Sequence, residues 1–357
     1  MAENVTLTVR GKNYEGWKQV TITRSIKAVA ASFSLSLTDN WSGADKPWIL
    51  IPGDSCEIKS NGDTVLKGYV EDVETSYDAR QRTITVSGRE RTGDLVDCSV
   101  DYAEKAELTN ISLTELAKKL SAPVGVKVKN ESGATRKLEK VSINPGDTIF
   151  SVLDRSARQV GLLLTSDGKG TLVIQKVGQS TAAAQLIEGE NILAASSSFS
   201  MKNRFKEYRV ISQSGLEGLD EIQGFQPIGK AFDSEVSRSR LLVVTAEQSN
   251  APELCQTRAK WESVHRKGES VKVSAKVQGW RLKDGSIFEP NRLYKIKSPW
   301  IGVDQELLLE DLTLTISMSG TVADLKFTRK DAYRPEYTPK KNEVDLLKKL
   351  IRENSIA

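Results

Sequence analysis

Pro52-Gly53-Asp54-Ser55-Cys56-Glu57-Ile58-Lys59-Ser60 has a counterpart far along the chain, Pro290-Asn291-Arg292-Leu293-Tyr294-Lys295-Ile296-Lys297-Ser298. Both segments end on Ile-Lys-Ser, and each is followed by a turn and then by strands of alternating apolar residues. A Gly-Trp pair precedes each, Gly16-Trp17 and Gly279-Trp280, at unequal distances. The two ends of the chain therefore repeat one β plan. A chain with two similar modules presents two copies of one surface, so a ring of such chains has twice as many modules as subunits.

Outward from these segments the pattern divides the chain into four parts. Residues 1–100 read as a first barrel-like β-module: Val5, Leu7 and Val9 alternate with polar residues, as do Val20 and Ile22, then Phe33, Leu35 and Leu37. Period two marks strands with one wet face. Asn61-Gly62 suits the positive φ angles of a tight hairpin turn. Residues 101–190 read as a small α+β domain. Ser112-Leu113-Thr114-Glu115 is a capping box ahead of the apolar stripe Leu113, Leu116, Ala117 and Leu120. A second helix is expected near Asp147 with the stripe Ile149, Leu153, Ala157 and Val160, and Gly161 at its end. Leu162-Leu163-Leu164 and Leu172-Val173-Ile174, around Asp167-Gly168-Lys169-Gly170, read as a hairpin.

Residues 178–200, rich in Ala, Ser and Gln, read as a surface connection, and the stretch from Gly215 to Gly229 as a long exposed loop. Residues 191–333 read as the second barrel-like β-module, with an inserted helix at about 251–267 that Gly268 ends. Residues 334–357 form a proline-interrupted linker and a short amphipathic tail helix, on which Val344, Leu347, Leu350 and Ile351 share a face for docking a partner. The fold class expected is α+β, mainly β.

Composition narrows the classes of function. The 357 residues have 27% charged and 38% apolar residues, ordinary for a globular protein, and a net charge of +4. That excess is too small and too dispersed for a dedicated nucleic-acid binder. Three widely spaced cysteines, Cys56, Cys98 and Cys255, make neither a disulfide framework nor a zinc site. No secretory signal or membrane-spanning run is visible, so synthesis in a cytoplasm and no stable membrane insertion are expected.

The search for chemistry returns little. The single histidine, His265, falls in the last turn of the inserted helix, where a cation complements the helix dipole. No Cys or Ser is placed to form a dyad with it, and one histidine makes a His-based metal site untenable. Gly168-Lys169-Gly170-Thr171 lacks the spacing of a phosphate loop and lies between two strands, where no helix follows to aim its amides. The expectation is no catalytic residue, no metal and no cofactor. The rival readings are a cell-wall hydrolase, which needs two carboxylates flanking a groove, and a nucleic-acid or glycan-binding barrel module.

Residues suited to a subunit interface stand out better. Arg80, Arg82, Arg89 and Arg91 cluster near the end of the first module, with Asp94 close behind, and Arg238 and Arg240 fall on one side of an expected strand in the second. Arg is enriched at interfaces because its planar fork pairs with carboxylates. Trp41 and Trp48 flank a loop, a common place for interface anchors.

Several segments resemble the baseplate hub protein of Mu-like contractile phage tails. They are Gly16-Trp17 with Val20-Thr21-Ile22-Thr23-Arg24-Ser25-Ile26, Ala31-Ser32-Phe33-Ser34-Leu35, Gly279-Trp280-Arg281-Leu282-Lys283-Asp284-Gly285 and Pro290-Asn291. The clearest is Gly88-Arg89-Glu90-Arg91-Thr92-Gly93-Asp94-Leu95-Val96-Asp97-Cys98. The resemblance runs from about residue 5 to 330 and extends to the hub portion of type VI secretion spikes. It implies a non-enzymatic virion protein that forms a homotrimeric ring. Two modules per subunit would give pseudo-sixfold symmetry, joining the tail tube to the threefold central spike. Its implied partners are itself, tube and spike proteins and other baseplate proteins, with DNA only in passage through the channel.

Overall fold

The computed structural model describes residues 3–39, 50–79, 82–101, 107–212, 228–246 and 252–333. Trp41, Trp48, Arg80, Val344, Leu347, Leu350 and Ile351 lie outside the described residues. The chain opens with strands β1 (Val5–Val9), β2 (Lys12–Tyr14), β3 (Gln19–Ser25), β4 (Ala28–Asp39), β5 (Ser55–Ser60), β6 (Asp63–Tyr77) and β7 (Arg82–Glu90), then a short helix α1 (Gly93–Asp97). The middle holds β8 (Glu107–Ser112), α2 (Leu113–Ser121), β9 (Lys127–Asn130), β10 (Lys137–Ser142), α3 (Ile149–Gln159), β11 (Leu163–Ser166) and β12 (Thr171–Gln175). Next come β13 (Ser180–Ile187), β14 (Ile192–Phe199), β15 (Glu207–Ser212), β16 (Ile228–Phe232), β17 (Leu241–Ala246) and α4 (Pro252–Glu269). The last strands are β18 (Val271–Gln278), β19 (Arg292–Ser298), β20 (Val303–Ser317) and β21 (Gly320–Thr328), before a 3-10 turn Lys330–Tyr333. Strand outweighs helix: the protein is α+β and mainly β.

The chain forms two compact units, one of them Met1–Ala157, Leu162–Ser197 and Val273–Thr328. Its main sheet has 13 strands and contains the same run twice. One run is β1-β5-β6-β7-β4-β3 and the other β13-β19-β20-β21-β18-β14. The repeated sequence segments are β5 and β19. Ile58 and Ile296 are fully buried and Ser60 and Ser298 nearly so, because alternate residues of a strand share a face. Gly53 and Asn291, at φ of 92° and 63°, turn the chain ahead of each strand. Each strand is followed by a 15-residue partner, β6 or β20. Both partners carry a bulge against the next strand, between Val70 and Asp72 in one and between Leu309 and Asp311 in the other.

The Gly-Trp pairs also match. Trp17 donates its indole N–H to Tyr14 O at 3.0 Å and Trp280 to Thr315 O at 3.3 Å, and both rings are buried. One difference separates the runs: β1 lies antiparallel to β5, whereas β13 lies parallel to β19.

No closed barrel is found among the described strands. The two runs meet instead in one open sheet, where β3 pairs antiparallel with the far half of β20, from Asp311↔Ser25 to Ile316↔Val20. The near half of β20 pairs on the same edge with β19. Residues 178–200, expected as a surface connection, are largely strand. Their small side chains give no strong apolar alternation, and β13 and β14 are held by backbone ladders to β19 and β18.

The middle segment follows its local signals. Ser112 and Glu115 form the capping box in both directions, and Leu113, Leu116, Ala117 and Leu120 are buried. In α3 the buried side is Ile149, Val152, Leu153, Ser156 and Ala157, while Val160 falls just beyond the helix. β11 and β12 form the expected hairpin, and β9 joins β12 in parallel.

The second compact unit holds a three-stranded sheet, β16-β15-β17. Tyr208, Val210, Ala231, Cys255 and Ala259 form its core between sheet and α4. Two glycines there serve close approach rather than loop or stop. A Cβ on Gly229 would lie 2.0 Å from the Cys255 carbonyl carbon, and one on Gly268 would lie 2.2 Å from the Ala332 amide. Hence Gly229 lies in β16, and α4 runs through Gly268 to Glu269 instead of ending there.

Gly88 makes the sharpest test of the first run. A Cβ there would meet Tyr69 O at 2.0 Å and the Phe33 ring at 2.9 Å, both rigidly held. Gly88→Ala should lower unfolding stability by about 1–3 kcal/mol, the usual cost of overpacking, as read by urea denaturation.

Candidate assembly interface

The cluster Gly88–Cys98 folds as the end of β7, a tight turn and α1. Arg89 projects to the outer side of β7 and is paired within its own chain. It holds Glu71 from Nε at 2.8 Å and Asp97 from Nη2 at 2.5 Å. The Arg89 guanidinium pulls the Asp97 carboxyl below its ordinary range, and the two carboxylates in turn hold Arg89 firmly protonated. Arg91 leans over the Tyr69 ring at 5.8 Å. Asp94 lies half-buried on α1, where loss of hydration and the neighbouring Asp97 raise its pKa. Arg89 and Asp94 thus share one charged patch around Asp97.

The inner side of the same cluster is a polar knot that the sequence reading passed over. Glu90 is 1% exposed and accepts from Ser166 Oγ at 2.5 Å, Gly170 N at 3.0 Å and Ala31 N at 3.3 Å. Burial pushes its carboxyl up despite these donors. Thr92, fully buried, donates to Val29 O at 2.9 Å. Arg24 donates to Ser166 O at 3.2 Å, and Lys67 N to Gly168 O at 2.9 Å. The Asp167–Gly170 turn is therefore a dock for β7, not a phosphate loop. One signal was available: Glu90 has the same strand phase as Val86 and Gly88, which are buried.

Where the two sheet runs meet, polar contacts reinforce the β3–β20 ladder. Ile26 N donates to Glu310 O at 3.0 Å, Ser25 Oγ to Asp311 Oδ1 at 2.5 Å, and Lys27 pairs with the buried Glu310 carboxylate. Arg281, from the motif after Trp280, clamps the start of the chain. It reaches Glu3 Oε1 at 3.1 Å, Asp63 Oδ2 at 2.7 Å and Ser60 O at 2.9 Å. These charges face the chain's own other end.

The second arginine pair sits in a loop rather than a strand, since β17 begins only at Leu241. The turns after Asp233 break the alternation on which the strand reading relied. Arg240 donates to Met201 O at 2.6 Å and Lys202 O at 2.8 Å and lies 4.6 Å over the Phe205 ring. Arg238 is exposed. Nearby, Arg204 is buried with Asp233 in a two-pronged pair at 2.8 Å. Lys267 and then Arg204 pull Glu235 down to about 2.

His265 stacks on Trp261 with ring centroids 4.5 Å apart and lies 3.6 Å from Glu269. Cys56 is buried, and burial pushes its thiol up to about 12, so it is no nucleophile at neutral pH. Among the described residues no group of three or more His, Cys, Asp or Glu is placed to hold a metal ion. None of their helices is long and apolar enough to cross a membrane. What the described surface offers is edge strand. β14 ends the sheet path, and among the described strands the half of β6 beyond its bulge has no partner on the side away from β7. Exposed Tyr77, Leu193, Phe199 and Trp300 stand out on the surface, Tyr77 and Trp300 at 84% and 89%.

Comparison with known proteins gives these features a class. Residues 4–90 match the N-terminal domain of Mu phage baseplate assembly protein GpP-like proteins, and 251–336 match the fourth domain of GpP. Residues 92–176 match the second domain of baseplate hub protein gp44-like proteins. The class is therefore that of Mu-type phage tail baseplate proteins. The baseplate hub protein gp44 of Escherichia phage Mu is 32% identical over 327 residues, covering 89% of this chain and 85% of that one. The chain belongs to the family of Mu-like baseplate hub proteins.

The 43 kDa tail protein of prophage MuSo2 from Shewanella oneidensis shares the fold at a TM-score of 0.83. It has 32% identity, over 94% of this chain and 100% of that one. The E. coli c3393 protein, a type VI secretion component, shares the fold alone, with a TM-score of 0.57 at 11% identity over 94% of this chain and 80% of that one.

The buried Glu90 sets a pH test. Its folded pKa is raised, so the folded state binds more protons than the unfolded state and stability falls as pH rises from the ordinary Glu value through the raised one. Glu90→Gln should flatten that slope in melts across pH 4–8 (roughly the range spanned by such shifts). Glu90→Ala should cost about 1–3 kcal/mol by leaving buried amides unpaired.

Proposed function

We propose that the protein is the structural hub of a contractile phage tail baseplate, working by assembly and not by catalysis. Three copies close into a ring. Each contributes two like β-modules, built on the run through β5 and the run through β19, so six similar modules surround a channel. Such a ring matches a sixfold tail tube on one side and a threefold central spike on the other. DNA passes through the channel and is not bound specifically. The protein is made in the host cytoplasm and resides in the virion. Residues 334–357 tether or dock a neighbouring tail protein.

The observation that carries this reading is the duplicated strand order. The runs through β5 and β19 share their order, their long bulged partner strands and the buried Ile and Ser of the repeated segment. A chain that folds two like modules in one sheet has already made one of the contacts that a ring requires. Family membership and the fold shared with a type VI component support the same role.

Native mass spectrometry of the purified chain should give three copies, with interfaces of the obligate class above ~2,000 Å². A chain lacking residues 334–357 should keep that mass. A monomeric truncation would remove the tail from its assigned role, and a dimer or tetramer of the full chain would overturn the threefold ring.

A further inference from the structure

The seam between the two runs specifies how one copy meets the next. On the β20 side, the strand beyond the bulge is covered by β3, and Leu312 and Leu314 are fully buried beneath that cover. On the β6 side, the matching positions beyond the matching bulge are Val73 and Thr75. Among the described strands they have no such cover, and Val73 is half-buried and Thr75 exposed. The strand equivalent to β3 in the second run is β14, next to β18 as β3 is next to β4. β14 is the free end of the sheet path, with only half-buried Ala195 and Ser197 on the side where β3 carries Val20 and Ile22, both fully buried. The chain thus holds one filled seam and, separately, both halves of a second seam left open.

The register of the open seam follows from the filled one. Lys276–Asp324 and Gly279 N–Thr321 O set β18 against β21 as β4 is set against β7, so Ala275 takes the place of Leu35. Ser196 and Ser274 hydroxyls meet at 2.7 Å, as Thr21 meets Ser34 in the first run. Ser196 therefore stands for Thr21 and Ser76 for Thr315, and Thr315 pairs with Thr21. We propose that residues 72–77 of β6 pair antiparallel with β14 of a second copy, Ser76 opposite Ser196, Thr75 opposite Ser197 and Tyr77 opposite Ala195.

This inference rests on the ring reading above and adds its contact. The contact is heterologous, β6 of one copy to β14 of the next, so each copy uses both edges and the ladder continues from chain to chain. It removes two exposed edges that otherwise invite uncontrolled pairing. It also sets Leu193 of the next copy diagonal to Tyr77 and Phe199 opposite Val73, which gives partners to large apolar side chains that stand in solvent on the single chain.

The test is the full chain carrying Ser76→Cys and Ser196→Cys, oxidised with copper-phenanthroline and run on a non-reducing gel, beside each single variant. The double variant should give covalent species up to the complete ring, and the single variants should not. Moving the first cysteine to Glu74→Cys, two residues along the strand, should abolish most of the linkage. In the unmodified chain, amides of residues 73–77 and 193–197 should exchange with deuterium about tenfold more slowly, or slower still, in the oligomer than in diluted monomer. A trimer by light scattering without the Ser76–Ser196 link and without that protection overturns the pairing and leaves the ring. A full-length chain that stays monomeric at every concentration overturns both.

Discussion

The β3–β20 ladder is the contact on which the rest of the structure depends. It joins strands almost three hundred residues apart, and among the described strands it alone merges the two similar runs into one sheet. Backbone hydrogen bonds there are backed by Ser25–Asp311 and by Lys27 on a buried Glu310. A buried carboxylate left without its lysine would be strongly destabilising, so this pair fixes the seam as much as it strengthens it. Closing such a distant contact costs loop entropy before any burial offsets it.

Arg281 and Glu90 extend the same logic. Arg281 ties the motif after Trp280 to Glu3, Asp63 and Ser60, so the end of the chain holds its beginning. Glu90 ties the last strand of the first run to the hairpin of the middle segment. At both sites the charged group has its partners supplied by the chain itself. Arg89 and Arg240 are not free arms either, since both are already engaged within the chain.

The sequence was readable wherever a signal was local. Ser112 and Glu115, the stripe Ile149–Leu153–Ala157, and the turns at Asn61-Gly62 and Gly168 each carry their geometry in a few adjacent residues. The repeat itself was legible because β5 and β19 bury the same Ile and Ser. Partnership was not legible. Period two tells which face of a strand is buried but not which strand lies beside it, so the β3–β20 pairing left no trace in either segment alone. β13 and β14 were missed because Ala and Ser alternate without an apolar contrast. Arg238 and Arg240 were placed in a strand because alternation was read through a turn. Glu90 was passed over because a carboxylate in a strand reads as solvent-facing unless its phase is checked.

The central claim is that the two ends of the chain are equivalent parts that let threefold association imitate sixfold symmetry. Averaged electron micrographs of the purified oligomer, viewed down its axis, test this most directly. The account predicts a ring of six similar lobes around an opening at low resolution, resolving into alternating pairs with threefold symmetry at higher resolution. Three isolated lobes, or a particle without a central axis relating the two modules, would contradict it.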